Sequence, residues 1–207
     1  MAEKKRLYLM RHAKPELPMN GRIYYGQTDY PLSAAGIAAA EETGEYLKGK
    51  ITFDHLYASD MIRAQQTAKL VAPYLPIITV PALREVSLGE WEGRGYDEVR
   101  EQFREIYEAR GVKFAEVAPP GGETFRELQR RTAPAFEEIL SAHESGNILI
   151  VAHGAAIWSV MADRFGLDLN EMFFFSQDYC GIHVVEPANG RLRLCQYNWL
   201  PLLKAEG

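Results

Sequence analysis

Five side chains of types that handle phosphoryl groups or protons each stand just beyond a short apolar segment. Arg11-His12 follows residues 7–10, Arg63 lies after 55–58, Glu85 after 77–80, and His153-Gly154 directly after 147–152. Histidine can act as nucleophile or base, arginine forks anchor anions, and a carboxyl group can carry a proton. A phosphoryl group in transfer spreads charge over three non-bridging oxygens, so positioning and electrostatic stabilisation dominate its catalysis. A neutral imidazole can attack phosphorus to give a phosphohistidine that water later cleaves. The leaving alkoxide then needs a proton, which a partly buried carboxyl group carries at neutral pH when its pKa is raised. This chemistry requires no metal. The sequence has no convincing metal-ligand spacing, and no cofactor is implied.

Each residue also has a plainer reading. A strand-end histidine is often a satisfied core residue, Arg63 a solvated helix residue, and Glu85 a loop carboxylate. What lifts them is recurrence. In open α/β sheets ligands bind beyond the carboxyl ends of the parallel strands, so Arg11, His12, Arg63, Glu85 and His153 would converge on one crevice. Gly154 opens a helix whose first amides attract anions.

The elements that must position these residues alternate. Apolar runs at 7–10, 55–58, 77–80 and 147–152 read as buried strands. Helices are expected at 34–47, capped by Ser33 with Gly49 past its end, and at 61–72, where Ile62, Ala68 and Val71 share a face. Another is expected at 155–165, ended by Gly166. Residues 15–31, rich in Pro, Gly, Asn and Tyr, read as a long loop. The stretch 96–109 reads as one amphipathic helix. Thr124-x-x-Glu127 opens a helix to 143 in which Pro134 predicts a kink or restart. Residues 182–186 and 192–197 flank Pro187-Ala188-Asn189-Gly190 as a hairpin. The βαβα order predicts an α/β protein, a mostly parallel sheet with helices on both faces.

The chain has 207 residues without repeats or linkers, which implies a single domain over 1–207. A net charge of −5 argues against a nucleic-acid partner. It does not argue against a local anion pocket, since clustered arginines outweigh net charge at short range. The N-terminal apolar run is too short for a signal peptide, and the richest apolar stretch is broken by His153-Gly154, so a cytoplasmic location and no membrane partner are expected. Cys180 and Cys195 read as buried free thiols. His55, His143 and His183 lie outside the motifs, and Arg130-Arg131 reads as a solvated helix face. The late hairpin and residues 199–203 are apolar enough to pack on the domain or on a second subunit, which leaves monomer and homodimer open.

The same residues resemble the histidine phosphatase superfamily, which includes cofactor-dependent phosphoglycerate mutase. Leu9-Met10-Arg11-His12-Ala13 resembles its Arg-His-Gly signature. Asp29-Tyr30-Pro31-Leu32-Ser33-x-x-Gly36 and Ser59-x-x-x-Arg63-Ala64-x-x-Thr67-Ala68 resemble two further segments. Leu83-Arg84-Glu85 with Leu88-Gly89-Glu90-Trp91-Glu92-Gly93, then Pro120-Gly121-Gly122-Glu123-Thr124 and Val151-Ala152-His153-Gly154, complete the order. Each motif alone is weak, but the ordered set is specific. The resemblance implies a three-layer α/β/α sandwich in which His12 is the nucleophile. It implies that Arg11, Arg63 and His153 bind the transferring phosphate, and that Glu85 donates the proton and later activates water.

Three positions depart from the pattern. Ala13 replaces a glycine, Pro15 replaces a hydroxyl residue and Pro18 an asparagine, so Gln27, Thr28 or Asn20 become candidates to supply the missing substrate contacts. The short stretch between Glu85 and Pro119 leaves little lid, with a helical cap over about 86–122. That favours a phosphatase of a small phosphomonoester, most like the α-ribazole phosphatase and broad-specificity branches, over a mutase. A catalytically inactive module that binds phosphorylated ligands stays as the reading of another class. Tyr24, Tyr25, Trp91, Tyr96 and Phe103 either line a leaving-group pocket or pack the cap.

Overall fold

A computed structural model describes residues 4–19 and 22–201. β1 (Arg6–Arg11) is apolar on both faces, as a strand covered from both sides must be. It lies centrally in a six-stranded sheet of order β3-β2-β4-β1-β5-β6. β2 (His55–Ala58), β3 (Ile77–Thr79) and β4 (Asn147–Ala152) run parallel to β1, while β5 (Ile182–Ala188) is antiparallel to it and β6 (Arg191–Trp199) antiparallel to β5. The expected mostly parallel sheet is present. Its hairpin turns at Asn189 and Gly190, both at positive φ (51° and 74°), the pair a two-residue hairpin turn needs.

Alternation along the strands makes two cores. Tyr8, Met10, Leu56, Leu149 and Val151 face α1 (Ala34–Leu47) and α2 (Ile62–Val71). Leu7, Leu9, Tyr57, Ile148 and Ile150 face α5 (Phe125–Ser141) and α6 (Gly154–Phe165). This is the three-layer α/β/α sandwich. Trp199 packs on the first core beside Tyr46, whereas Leu202, Leu203 and Asn20 lie outside the described residues.

A third apolar cluster joins the segment after Glu85 to α6. It holds Trp91, Val99, Phe125 and Trp158, with α3 (Tyr96–Gln102) and α4 (Arg104–Val112) above it. The expected single helix at 96–109 is thus two, divided at Phe103, whose φ of −119° leaves the helical region while its ring reaches Trp91 at 6.3 Å. Pro134 divides nothing. It is exposed, as is Arg130 one turn earlier, so the carbonyl it fails to bond faces water while Leu128, Thr132, Ala135 and Ile139 hold the buried face. The capping box of Thr124 and Glu127 is formed.

α2 also presents another face than expected. Ile62 is exposed, and Arg63, Ala64, Thr67, Ala68 and Val71 are buried. Cys180 is buried, but Cys195 is exposed, because β6 is an edge strand that is exposed on both faces from Arg193 to Tyr197. Among the described residues no helix is long and apolar enough to cross a membrane.

Candidate active site

Register brings the two histidines level. Arg11 pairs with Ala152 across the parallel β1–β4 ladder, and the His12 amide donates to the Ala152 carbonyl at 2.9 Å. His12 and His153 therefore leave the sheet at one height, with ring centroids 5.0 Å apart. Ser59, at the end of β2, sits beside them, its amide donating to the Val151 carbonyl at 3.0 Å.

The hydrogen bonds of His12 assign its tautomer. Nδ1 lies 2.7 Å from the Ala13 carbonyl, which can only accept, so Nδ1 carries the proton. Nε2 keeps its lone pair, into which Arg63 Nε–H points from 3.2 Å. Burial, then the charges of Arg63 and Arg11, hold the His12 pKa well below 6.5. The ring is a neutral imidazole whose unprotonated nitrogen faces Arg63 within the cluster.

Two polar atoms here are buried without a protein partner, Arg11 Nε and His153 Nδ1. His153 Nε2 is 2.9 Å from the Ser59 hydroxyl, and Ser59 Oγ also accepts from the Met61 amide at 3.4 Å. That hydroxyl can then donate to His153 Nε2, which leaves Nδ1–H for another acceptor. Burial, then neighbouring His12 and the arginines, lower the His153 pKa well below 6.5. Arg11 is tied by Nη1 to the Gln177 carbonyl and lies 4.1 Å over the Tyr179 ring, which aims its unused Nε inward. Two unmatched donors beside a nucleophilic nitrogen describe a place for an oxyanion.

Arg63 is fully buried, not a solvated helix residue. Nη2 donates to the Gly26 carbonyl at 2.6 Å and Nη1 to the Thr28 carbonyl at 3.0 Å. Those carbonyls are fixed by Glu92, whose carboxylate accepts from the amides of Gly26, Gln27, Thr28 and Leu88 and from the Thr28 hydroxyl at 2.7 Å. Burial pushes the Glu92 pKa up, but these donors outweigh it and hold the carboxyl below its ordinary value. Gln27 and Thr28 thus build the loop. The Thr28 hydroxyl is spent on Glu92, and the Gln27 amide donates to the Glu85 carbonyl at 3.0 Å.

Glu85 enters from the far side, after the short 3-10 turn Pro81–Leu83. Its Oε1 accepts from the Val86 amide at 2.9 Å and its Oε2 from the Ala155 amide at 3.2 Å, in the first turn of α6. A methyl placed on Gly154 would lie 3.6 Å from Arg11 Nε and 3.9 Å from Glu85 Oε2, so this glycine lies between the two. Arg11, His12, Arg63, Glu85, His153 and Gly154 are therefore brought together as the sequence suggested.

The sequence reading missed the residues that hold them. Arg131 is no solvated helix residue. It donates to the carbonyls of Ala82, Arg84 and Glu85, each at 2.8 Å, and pairs with Glu123 at 2.7 Å. The Pro120–Thr124 motif packs under the same strand of chain, where Gly89 has no room for a side chain against the Pro120 carbonyl. Tyr25 and Tyr179, whose hydroxyls are 2.7 Å apart, were not recognised as neighbours of His12. The Tyr179 ring lies 5.7 Å from it. Of the expected aromatics, Tyr24, Tyr25 and Trp91 line a cavity of about 320 Å³ that Glu85 and Ala155 also border, while Tyr96 is outside it and exposed.

This fold and cluster are those of one enzyme class, and the comparisons agree. The family model of the histidine phosphatase superfamily (branch 1) matches residues 7–200, and the chain belongs to that superfamily as an enzyme of the histidine phosphatase type. It is 30% identical over 175 residues to the adenosylcobalamin/alpha-ribazole phosphatase of Escherichia coli (strain K12), covering 84% of this chain and 85% of that one. It is 33% identical over 166 residues to a protein of Yersinia pestis (strain Pestoides F) named "Probable phosphoglycerate mutase GpmB", covering 78% and 75%. The crystal structure of the alpha-ribazole phosphatase from Shigella flexneri superimposes with a TM-score of 0.86 at 27% identity, covering 98% of this chain and 100% of that chain.

Proposed function

We propose that the protein is a metal-independent phosphomonoesterase that works through a phosphohistidine at His12 on a small phosphorylated metabolite. The observation that carries this reading is the neutral His12 ring, with Nδ1–H on the Ala13 carbonyl and an unprotonated Nε2 that faces Arg63 Nε–H at 3.2 Å, in the cluster where Arg11 Nε and His153 Nδ1 have no protein partner. In this scheme Nε2 attacks phosphorus as the bond to the ester oxygen breaks. Arg11, Arg63 and His153 hold the non-bridging oxygens, and the Glu85 carboxyl group passes its proton to the departing alkoxide. Glu85, now a carboxylate, takes a proton from the water that attacks the phosphoimidazole. Inorganic phosphate leaves and the neutral His12 returns.

Segment 86–122 acts as a cap that shapes the leaving-group side, and the aromatic cavity beside Glu85 receives the alcohol. α-Ribazole phosphate is a candidate substrate because relatives named for that activity align over most of both chains. Hydrolysis of p-nitrophenyl phosphate with EDTA present is the test. Activity in the wild type and its loss in His12→Ala support the reading; an inert wild type, or an equally active variant, refutes it and favours a phospho-ligand-binding module. A mutase would instead equilibrate 3- and 2-phosphoglycerate, given a bisphosphoglycerate primer, faster than it releases phosphate.

A further inference from the structure

Two tyrosines stand on the arginines of the phosphate cluster, and the reaction scheme above uses neither. Tyr25, in the loop between β1 and α1, has its ring centre 5.5 Å from the Arg63 guanidinium carbon. Tyr179, just before β5, has its ring centre 4.1 Å from that of Arg11 and 5.7 Å from the His12 ring. Backbone contacts fix both. The Cys180 amide donates to the Arg11 carbonyl at 3.1 Å, and the Arg11 amide donates to the Gly181 carbonyl at 3.0 Å. On the other side, the Gly26 carbonyl next to Tyr25 accepts from Arg63 at 2.6 Å. Across 154 positions of sequence the two hydroxyls then meet at 2.7 Å.

That contact leaves one donor over. Each phenol carries a single O–H, and the bond between the two hydroxyls uses one of them. Among the described residues the second O–H has no protein acceptor. Burial, then neighbouring Tyr179, raises the Tyr25 pKa, so its proton stays on at neutral pH. The Thr28 hydroxyl, the other candidate in this loop, is spent on the Glu92 carboxylate. The tyrosine pair therefore presents the unmatched hydroxyl donor between rings that stand on the two guanidinium groups.

We propose that this hydroxyl pair binds the transferring phosphate: one hydroxyl donates to the other, which donates its own O–H to a non-bridging oxygen held by Arg11 and Arg63. A phenol that donates to an anion makes a charge-assisted bond, and the first hydroxyl polarises the second. The proposal rests on the reading of the His12 cluster as the phosphate site. It adds to that site a neutral donor whose proton is not transferred, alongside the charged guanidinium groups.

Inorganic phosphate tests it, by competition against p-nitrophenyl phosphate and by the near-ultraviolet difference spectrum of tyrosine. Phosphate is expected to shift a tyrosine band of the wild type to longer wavelength. Of Tyr25→Phe and Tyr179→Phe, one removes the hydroxyl that touches phosphate; it should raise the inhibition constant about tenfold or more and lose the shift. The other should raise it less than about threefold and keep the shift, and the double variant should match the more affected one. A melt close to that of the wild type confirms each fold. A purely structural clasp predicts a different pattern, since either substitution breaks the same bond and both single variants would weaken phosphate equally. That result, an unchanged double variant, or a wild-type spectrum that ignores saturating phosphate overturns the proposal while the phosphatase reading stands. A wild type that shows the shift, lost in one single variant only, yet does not hydrolyse p-nitrophenyl phosphate overturns the phosphatase reading alone. A wild type that neither binds phosphate nor hydrolyses the ester overturns both.

Discussion

Arg63 Nε lies 3.2 Å from His12 Nε2, while the other two nitrogens of the same guanidinium donate to the carbonyls of Gly26 and Thr28. One planar group thus fixes a loop and addresses the proposed nucleophile at once. Lysine keeps the charge and three N–H donors, but they sit on one nitrogen and cannot span the acceptors that Nε, Nη1 and Nη2 reach separately. Arg63→Lys is therefore expected to lower kcat/KM for p-nitrophenyl phosphate by about 10²–10³, the range for losing one preorganised donor. Steady-state rates on a variant shown to be folded by circular dichroism check this, and a loss below about threefold contradicts it.

Glu92 stands one step further out. Its carboxylate holds the 26–28 backbone whose carbonyls seat Arg63. Glu92→Gln replaces one accepting oxygen by a donor facing N–H groups, so a stability loss of about 1–3 kcal/mol is expected in chemical denaturation. Activity should fall in the same variant under conditions where it remains folded. Full activity would show that the loop does not position Arg63.

Arg131 carries the segment of Glu85 through three carbonyls. If Glu85 protonates the leaving group, Glu85→Gln should harm alkyl phosphates, whose alcohols leave poorly, by at least about 10² more in kcat than p-nitrophenyl phosphate. Arg131→Met should show the same leaving-group dependence in weaker form. A uniform loss across esters would assign Arg131 to stability alone.

Gly154 lies between Arg11 Nε and Glu85 Oε2, and a methyl there would meet them at 3.6 and 3.9 Å, ordinary contact distances. Gly154→Ala is therefore expected to fold as the wild type does. If phosphate oxygens occupy that space, the methyl displaces them, so inhibition by vanadate should weaken severalfold. Unchanged inhibition would place the anion elsewhere.

Acid should unfold the protein through its buried histidines. His12 and His153 have pKa values well below 6.5, and burial lowers that of His183 to about 4. Below about pH 6.5 the unfolded chain takes up protons that the folded state refuses, so stability is full above that pH and falls as the pH drops toward the folded values. Each histidine contributes up to about 1.4 kcal/mol per pH unit in that window. Denaturation between pH 7 and 5 should show this slope, flatter in His183→Gln; a flat profile in the wild type contradicts it.

The residues of the candidate site were legible because strand ends announce themselves. Residues 7–10 and 147–152 are apolar runs that stop at a charged or titratable residue, and parallel pairing does the rest. The supporting groups were not legible, since Glu92, Arg131 and Tyr179 act through contacts across 64, 46 and 167 positions of sequence, respectively. Arg63 could be read only in part. A helix position beside a strand looks solvated until the 26–28 loop folds over it. The division of 96–109 at Phe103 escaped periodicity for a related reason, because a tertiary contact with Trp91 sets that break.

The central claim is that phosphate passes through Nε2 of His12. Mixing enzyme with a phosphomonoester and quenching in alkaline denaturant, where phosphohistidine survives, followed by peptide mass spectrometry, tests it directly. The account predicts one phosphoryl group on the peptide containing His12, formed within the first turnover, absent from His12→Ala and decaying as inorganic phosphate appears. Turnover without any phosphorylated His12 peptide, or a phosphoryl group on another residue, would contradict it.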